Sequence, residues 1–162
     1  MVTESKSMVF RLFGDRNWFI DVGKKLAMVD LFLQTRSQGR LGLLTLAGLP
    51  NIVLTTTGCK TGLLRSTCLA YVPRGTDYVI IDSNWGQPTR PAWSANLLAN
   101  PRAHIMEGGR TAEVHARHLT GDERETVWRE LLEDWPDRAV NAERAGEREL
   151  RIFLLSEITS NS

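Results

Sequence analysis

The sequence predicts an α+β fold, mainly β, in which a small, partly closed barrel has helices packed outside it. Five or six short apolar segments are separated by tight turns, as in a barrel built from short strands. Helical patterns interrupt these segments irregularly, which disfavours a doubly wound parallel sheet. The 162 residues, 42% of them hydrophobic, are enough for one domain with a sizeable core.

The N-terminal part is predicted to be helical and the middle to be strands. Residues 1–14 are read as a short helical arm and residues 16–37 as a helix. Apolar side chains form one stripe along that helix: Phe19, Val22, Leu26, Val29 and Leu33. The apolar run 41–54 is shorter than the ~20 residues that span a bilayer. We interpret it as a buried loop and strand rather than as a membrane-contact surface. Strands are predicted at 51–57, 65–72 and 78–82.

The C-terminal part alternates helices with a hairpin. A helix over 91–99 begins at Pro91 and ends before Pro101. Strands at 103–107 and 111–119 flank Gly108-Gly109, which is a strong hairpin signal. Thr120 and Glu123 match a capping box that opens a helix reaching 134. A second helix over 137–145 and a strand over 150–155 follow. The domains are then an arm (1–38), a barrel (39–157) and a loose tail (158–162).

Composition narrows the class of function. A net charge of +1 gives no global attraction to nucleic acid. Cys59 and Cys68 have no metal-ligand spacing, so free thiols in a cytoplasmic protein are expected. His115 and His118 would lie on opposite faces of a strand and could not share a metal. No catalytic acid–base pair or triad is evident, as is typical of a protein whose chemistry belongs to a bound cofactor.

Two motifs point to that cofactor. Residues 54–65 (LTTTGCKTGLLR) read as a strand entering a glycine-bounded turn that offers N–H groups, hydroxyls and two cations to a phosphate. From the residues alone, this phosphate-binding interpretation is about as well supported as its alternative, a glycine hairpin that carries a solvated lysine. Residues 91–101 (PAWSANLLANP) read as a short helix with Trp93, Asn96 and Leu97 on one face. Together the motifs indicate a site for a flat, anionic cofactor.

With the segment IIDSNWG at 80–86 between them, these motifs resemble the deazaflavin-dependent nitroreductase family of actinobacteria. The resemblance covers about residues 39–155. It implies a split β-barrel of the FMN-binding type and the deazaflavin coenzyme F-420. It also implies an oxidoreductase that transfers a hydride from the reduced deazaflavin to a quinone, a nitroaromatic or a similar acceptor, with the 122–146 helices excluding water.

The resemblance also implies roles for individual residues. Lys60, Thr61 and Arg65 would hold the phosphate and acidic tail, and the catalytic Ser83 would contact the ring and the substrate. Trp135 matches the aromatic lining of the substrate pocket. The remaining cofactor-binding positions that it implies are Cys59, Ser66, Thr67, Cys68, Leu69, Asp82, Asn84, Ala92, Trp93 and Asn96. No metal is expected.

Some residues of this sequence depart from the family pattern, and they leave an alternative function open. Cys59 replaces an arginine, which removes a cation from the turn, and Cys68 replaces a proline. Arg138 and Asn141 replace aromatic residues of the lid. The alternative function is therefore a carrier that binds a deazaflavin, flavin, haem or lipid without turnover. Cys59 beside Lys60 could also be a reactive thiol, although an ordinary turn cysteine is the better reading. A homodimer and a peripheral membrane contact through the N-terminal region are further expectations.

Overall fold

A computed structural model describes residues 17–37, 42–46, 48–84, 87–134 and 148–158 of the chain. The predicted arm over 1–14 and the predicted helix over 137–145 lie outside these residues. The elements in chain order are α1 (Asn17–Arg36), α2 (Leu43–Leu46), β1 (Asn51–Thr57), β2 (Leu64–Ala70), β3 (Val72–Arg74), β4 (Asp77–Ile81), α3 (Ala92–Ala99), β5 (Arg102–Glu107), β6 (Arg110–His118), α4 (Gly121–Asp134) and β7 (Ile152–Glu157).

One seven-stranded antiparallel sheet has the order β2-β1-β5-β6-β7-β4-β3. Its two edge strands, β2 and β3, are separated in the chain only by Tyr71. Strands β2 and β3 are therefore almost one continuous strand. Because they form opposite edges of the sheet, the sheet must curl into a barrel. This confirms the predicted barrel. The segment predicted as one strand over 65–72 is divided at Tyr71, whose N–H donates to the Pro50 carbonyl at 3.1 Å.

The barrel interior holds the main hydrophobic core. Residues of every long strand contribute to it, together with Trp93 and Leu97 of α3, which covers one end. The ring of Trp93 meets that of Phe153 edge-on at 5.8 Å. Because neighbouring strands are antiparallel, β1, β6 and β4 all finish at the same end of the barrel. The segments that follow these three strands are thereby brought together beside α3.

A second core lies outside the barrel, between α4 and the outer face of β4 and β7. Val127 and Leu131 of α4 pack there with Ile152 and Leu154. The predicted start of α4 is correct, but the predicted capping box does not form. The Glu123 carboxylate instead accepts two hydrogen bonds from the Arg117 guanidinium, at 2.6 and 2.8 Å.

Helix α1 packs on β1 and β2 through a face other than its apolar stripe. Its apolar stripe is largely exposed, with Leu26 39%, Val29 51% and Leu33 40% accessible. The side chains of Phe19 and Val22 lie outside the described part. The polar residues Asp30 and Gln34 are buried instead, at 3% and 1%. The run 41–54 behaves as predicted in that Leu49, Ile52, Val53 and Leu54 are buried, although Leu46 is exposed.

Candidate functional site

The anion turn (residues 58–63) is a compact loop between β1 and β2. The Gly58 N–H donates to the Leu63 carbonyl at 2.8 Å, and the Gly62 N–H donates to the Gly58 carbonyl at 2.7 Å. Gly62 has φ +69°, a conformation that disfavours a side chain. A Cβ on Gly58 would lie 2.7 Å from the Thr61 hydroxyl oxygen. Glycine is therefore needed at both ends of the turn.

The side chains that the sequence assigns to anion binding are all exposed on this turn and on the start of β2. They are Lys60, Thr61 and Arg65, and the neighbouring Cys59 is exposed as well. Arg65 pairs in register with Thr56 of β1. The Ser66 hydroxyl lies 2.8 Å from the Thr55 hydroxyl across the same strand pair. Two cations and several hydroxyl groups consequently face solvent within one hairpin.

Asn96 of α3 connects this turn to the barrel. Its Oδ1 accepts the Cys59 backbone N–H at 3.0 Å, and its Nδ2 donates to the Thr56 hydroxyl at 3.0 Å. Asn96 and Thr56 are buried, at 4% and 1% accessible. Both ends of the Asn96 amide are thus bonded to protein groups, and these bonds connect the turn to α3. Trp93 is likewise a core residue, whereas Ala92 is exposed.

The predicted cofactor-binding positions on β2 divide between its two faces. Thr67 pairs with Leu54, and Leu69 packs against the barrel core. Cys68 lies on the other face, where Gln34 donates to its Sγ at 3.0 Å and the thiol donates to Asp30 at 3.3 Å. Burial and the neighbouring Asp30 carboxylate raise the pKa of Cys68 to about 12. The thiol is therefore protonated at neutral pH and is bound to α1.

Asp82, which follows β4, is the centre of a buried ionic network. Its carboxylate is fully buried and accepts hydrogen bonds from Arg90 at 2.8 Å, Ser94 at 2.9 Å and the Arg151 backbone N–H at 2.7 Å. The Arg148 guanidinium lies 3.3 Å from its other side. With two arginines already paired to it, the Asp82 carboxylate does not act as a free negative charge.

Ser83 and Asn84 continue from Asp82 and are half-buried. Arg148 donates to the Ser83 carbonyl at 3.1 Å, so the backbone at Ser83 is fixed by the same network. Asn84 has φ +43° and donates to the Thr89 carbonyl at 2.8 Å. The predicted substrate residue Trp135 lies outside the described residues, as do Arg138 and Asn141.

Helix α3 connects the end of β1 with the end of β4. Ser94 reaches Asp82 at the end of β4, and Asn96 reaches Thr56 at the end of β1. The anion turn and Ser83 thus lie at one end of the barrel, on either side of α3. Sequence reasoning missed Arg90 and Arg148. Their only sequence signal is charge, and their pairing with Asp82 depends on the chain fold.

The described residues contain no candidate metal site. No group of three or more His, Cys, Asp or Glu side chains there could hold a metal ion. Within the same part of the chain, no helix is both long and apolar enough to cross a membrane.

Comparisons with known proteins show what the chain is similar to. The chain is 29% identical over 137 residues to an F420H2-dependent quinone reductase of Mycobacterium tuberculosis, covering 83% of this chain and 92% of that protein. A solved F420H2-dependent reductase is 31% identical with a TM-score of 0.58, covering 66% of this chain and 94% of that one. A structure described as a domain-swapped dimer has the same identity and TM-score, covering 66% and 80%.

More distant structures share the fold alone. A haem storage protein from Vibrio cholerae is 16% identical with a TM-score of 0.50, covering 68% of this chain and 82% of that one. A family model described as F420H2-dependent quinone reductase matches residues 28–157, which is most of the chain. The protein therefore belongs to the F420H2-dependent quinone reductase family and is an oxidoreductase whose cofactor is coenzyme F-420.

Proposed function

We propose that the anion turn and Arg65 bind the phosphate and acidic tail of coenzyme F-420, and that Ser83 contacts the ring and the quinone. The observation that carries this proposal is the exposure of Lys60, Thr61 and Arg65 on one hairpin. Exposed cations keep their donors available to a ligand, whereas Arg90 and Arg148 are already paired with Asp82. Backbone N–H groups and cations in a tight turn favour a phosphate.

The residues present fit the cofactor. Its phosphate and carboxylates require cations and hydroxyl donors, and the hairpin supplies both in Lys60, Arg65, Thr61 and Ser66. When bound, the reduced deazaflavin supplies the hydride that reduces the acceptor. The protein holds the anionic part on the turn, and Asn96 keeps that turn fixed relative to the barrel. Fixed binding groups place the reactants without an entropic cost at the moment of reaction.

The acceptor is proposed to bind beside Ser83. Arg148, which belongs to the Asp82 network, donates to the Ser83 carbonyl and so fixes the Ser83 backbone. The backbone atom that carries the Ser83 side chain is therefore held in place. A serine hydroxyl can donate to a quinone carbonyl or to a nitro group. Trp135 remains a proposed wall of the same pocket, and nitroaromatic acceptors remain a proposed second substrate class. The remaining predicted contacts, Cys59, Thr67, Leu69, Asn84 and Ala92, are also proposals. The carrier alternative is not favoured, because the matching family and relatives are reductases.

Substitution of the two cations tests the proposal. We expect Lys60→Ala and Arg65→Ala each to weaken F-420 binding about tenfold, since a charge-assisted hydrogen bond contributes about 1.5–3 kcal/mol. Arg129→Ala is the matched control, because Arg129 is an exposed arginine on α4. Fluorescence quenching of F-420 gives the dissociation constants. Equal affinity in the parent and in both variants would contradict the proposal.

A homodimer and a peripheral membrane contact are proposed for the exposed face of α1. Lys25, Val29, Phe32 and Arg36 recur there at helical spacing and are all exposed. The dimer is supported by the related structure described as domain-swapped. The membrane contact is supported by the apolar residues flanked by cations. Phe32→Ser should lower the molar mass in sedimentation equilibrium if the face pairs two copies. It should lower co-sedimentation with anionic vesicles if the face binds lipid.

A further inference from the structure

Arg148 lies in the segment that leads into β7, yet its guanidinium holds the loop that follows β4. Its Nη1 donates to the Asp82 carbonyl at 3.0 Å and lies 3.3 Å from the Asp82 carboxylate. Its Nη2 donates to the Ser83 carbonyl at 3.1 Å and to the Gln87 carbonyl at 2.9 Å. The Gln87 N–H in turn donates to the Asn84 carbonyl at 3.0 Å. One side chain, only 9% exposed, thus binds three carbonyl groups of a loop that is also closed on itself.

The Asp82 and Ser83 carbonyl groups are the two that flank the Cα atom of Ser83. Each carbonyl lies in a rigid peptide plane, so holding both groups fixes both backbone dihedrals of Ser83. These dihedrals set the direction in which the Ser83 Cα–Cβ bond leaves the backbone. Arg148 therefore determines where the Ser83 hydroxyl can reach, although it binds Ser83 through the backbone carbonyl.

Neutralising the Asp82 charge does not by itself account for this arrangement. The Asp82 carboxylate already accepts hydrogen bonds from Arg90 at 2.8 Å and from Ser94 at 2.9 Å. Among the described residues, the Arg148 Nε is a buried donor without a hydrogen-bond partner, and such a donor destabilises a fold. A lysine would neutralise Asp82 and leave no such donor, but its single nitrogen could not span the carbonyl groups that the planar guanidinium holds. The arginine is therefore suited to holding the loop.

We propose that Arg148 is a positioning residue of the quinone reductase reaction, which directs the Ser83 side chain toward the acceptor. This role rests on the proposed contact of Ser83 with the quinone, and it adds the residue that sets the direction of that contact. Arg148 acts on the Ser83 side of α3, whereas the anion turn lies on the other side. Loss of the guanidinium should therefore slow turnover and leave binding of the F-420 tail unchanged.

Arg148→Lys tests this role, because it keeps a positive charge beside Asp82 and removes the planar fork. With F-420 and a short-chain benzoquinone, we expect kcat to fall about tenfold, since a small misplacement of a binding group slows a reaction strongly. The dissociation constant for F-420, measured by fluorescence quenching, should not change. Arg117→Lys is the matched control, because Arg117 also binds a carboxylate with both Nη atoms but pairs with the exposed Glu123. It should keep the parental kcat.

NMR of the cofactor-free protein gives a readout that does not depend on turnover. The amide signals of Ser83 and Asn84 report the two peptide planes that Arg148 holds, since each N–H shares a plane with the preceding carbonyl. We expect both signals to shift in Arg148→Lys and not in Arg117→Lys. In the parent, the Nη–H protons of Arg148 should exchange slowly with water and those of Arg117 quickly, because buried hydrogen bonds protect protons from exchange. Rapid exchange at Arg148 in the parent would overturn the proposed role without any substitution.

Ser83→Ala, alone and combined with Arg148→Lys, separates this role from the proposed function. If Arg148 acts through Ser83, Arg148→Lys should change kcat little in the Ser83→Ala background. A parental kcat in Ser83→Ala would contradict the proposed contact of Ser83, and the role of Arg148 with it. An impaired Ser83→Ala beside a parental Arg148→Lys would contradict the role of Arg148 alone. Equal losses from Arg148→Lys in both backgrounds would do the same.

Discussion

The Asn96 side-chain oxygen accepts the backbone N–H of Cys59 at 3.0 Å, which ties helix α3 to the anion turn. The other end of the same amide donates to Thr56, so one buried side chain joins a helix, a strand end and a turn. Cys59 thus takes part through its backbone, and its side chain is free to vary. The shape of the turn therefore does not depend on the side chain at position 59.

Asn96→Ala should release the turn. Loss of the amide leaves the buried Thr56 hydroxyl and the Cys59 N–H without their partner. We expect the KM for F-420 to rise roughly tenfold, with a much smaller change in kcat, because the turn and not the reacting groups is displaced. Steady-state kinetics measure both constants. Asn100→Ala is the control, since Asn100 contacts the Arg102 backbone N–H elsewhere. An unchanged KM in a folded Asn96→Ala variant would count against this role.

Asp82→Asn should destabilise the fold strongly. The substitution leaves Arg148, whose side chain is 9% exposed, without its carboxylate partner. Removing one partner of a buried ion pair lowers the free energy of unfolding by about 3–5 kcal/mol, because the other charge stays buried without its partner. Glu123→Gln breaks the exposed surface pair with Arg117, for which a much smaller loss is expected because water screens the two charges. Urea unfolding of both variants compares the free energies. Equal losses would show that the Asp82 network does not stabilise this end of the barrel.

Glu157 should make stability depend on acid pH. Hydrogen bonds from Arg110 and Tyr78 lower the pKa of Glu157 from 4.5 to about 2. A lowered native pKa stabilises the fold above pH 4.5, and this contribution is lost as the pH falls toward 2. Glu157→Gln should therefore be less stable at pH 6, by about 1 kcal/mol for a partly exposed pair. The difference in unfolding free energy between the parent and Glu157→Gln should disappear near pH 2. Urea titrations across this range would refute the assignment if this difference stayed constant.

The two thiols should differ in reactivity. Cys59 is exposed, whereas Cys68 is partly buried and bound to Gln34 and Asp30. Because the pKa of Cys68 is raised to about 12, almost no thiolate is present at pH 8. A disulfide reagent should modify one thiol per native chain and two per unfolded chain. Cys59→Ser should abolish the native reaction. Rapid modification of Cys68 in native Cys59→Ser would contradict the observed packing of α1 on β2.

Much of the fold could be predicted from local sequence patterns. Strand β1 was predicted at its observed bounds, and α1, α3 and the Gly108-Gly109 hairpin were predicted within one residue of theirs. The turn glycines, Pro91 and the alternation of β2 act over a few residues, so a single sequence carries them. The family and its cofactor were also recognisable, because the two motifs are specific and the matching family model covers most of the chain.

Long-range packing could not be predicted in the same way. Periodicity showed that Leu26, Val29 and Leu33 share one stripe of α1. The buried residues of this helix are instead Asp30 and Gln34, which find hydrogen-bond partners in Cys68 and in one another. No partner for the Asp82 charge was predicted from the sequence, yet Arg148, distant in sequence, neutralises it. Local residues therefore determined the elements and the motifs. Only the tertiary structure decided which polar groups are paired, because pairing depends on which distant segments the barrel brings together.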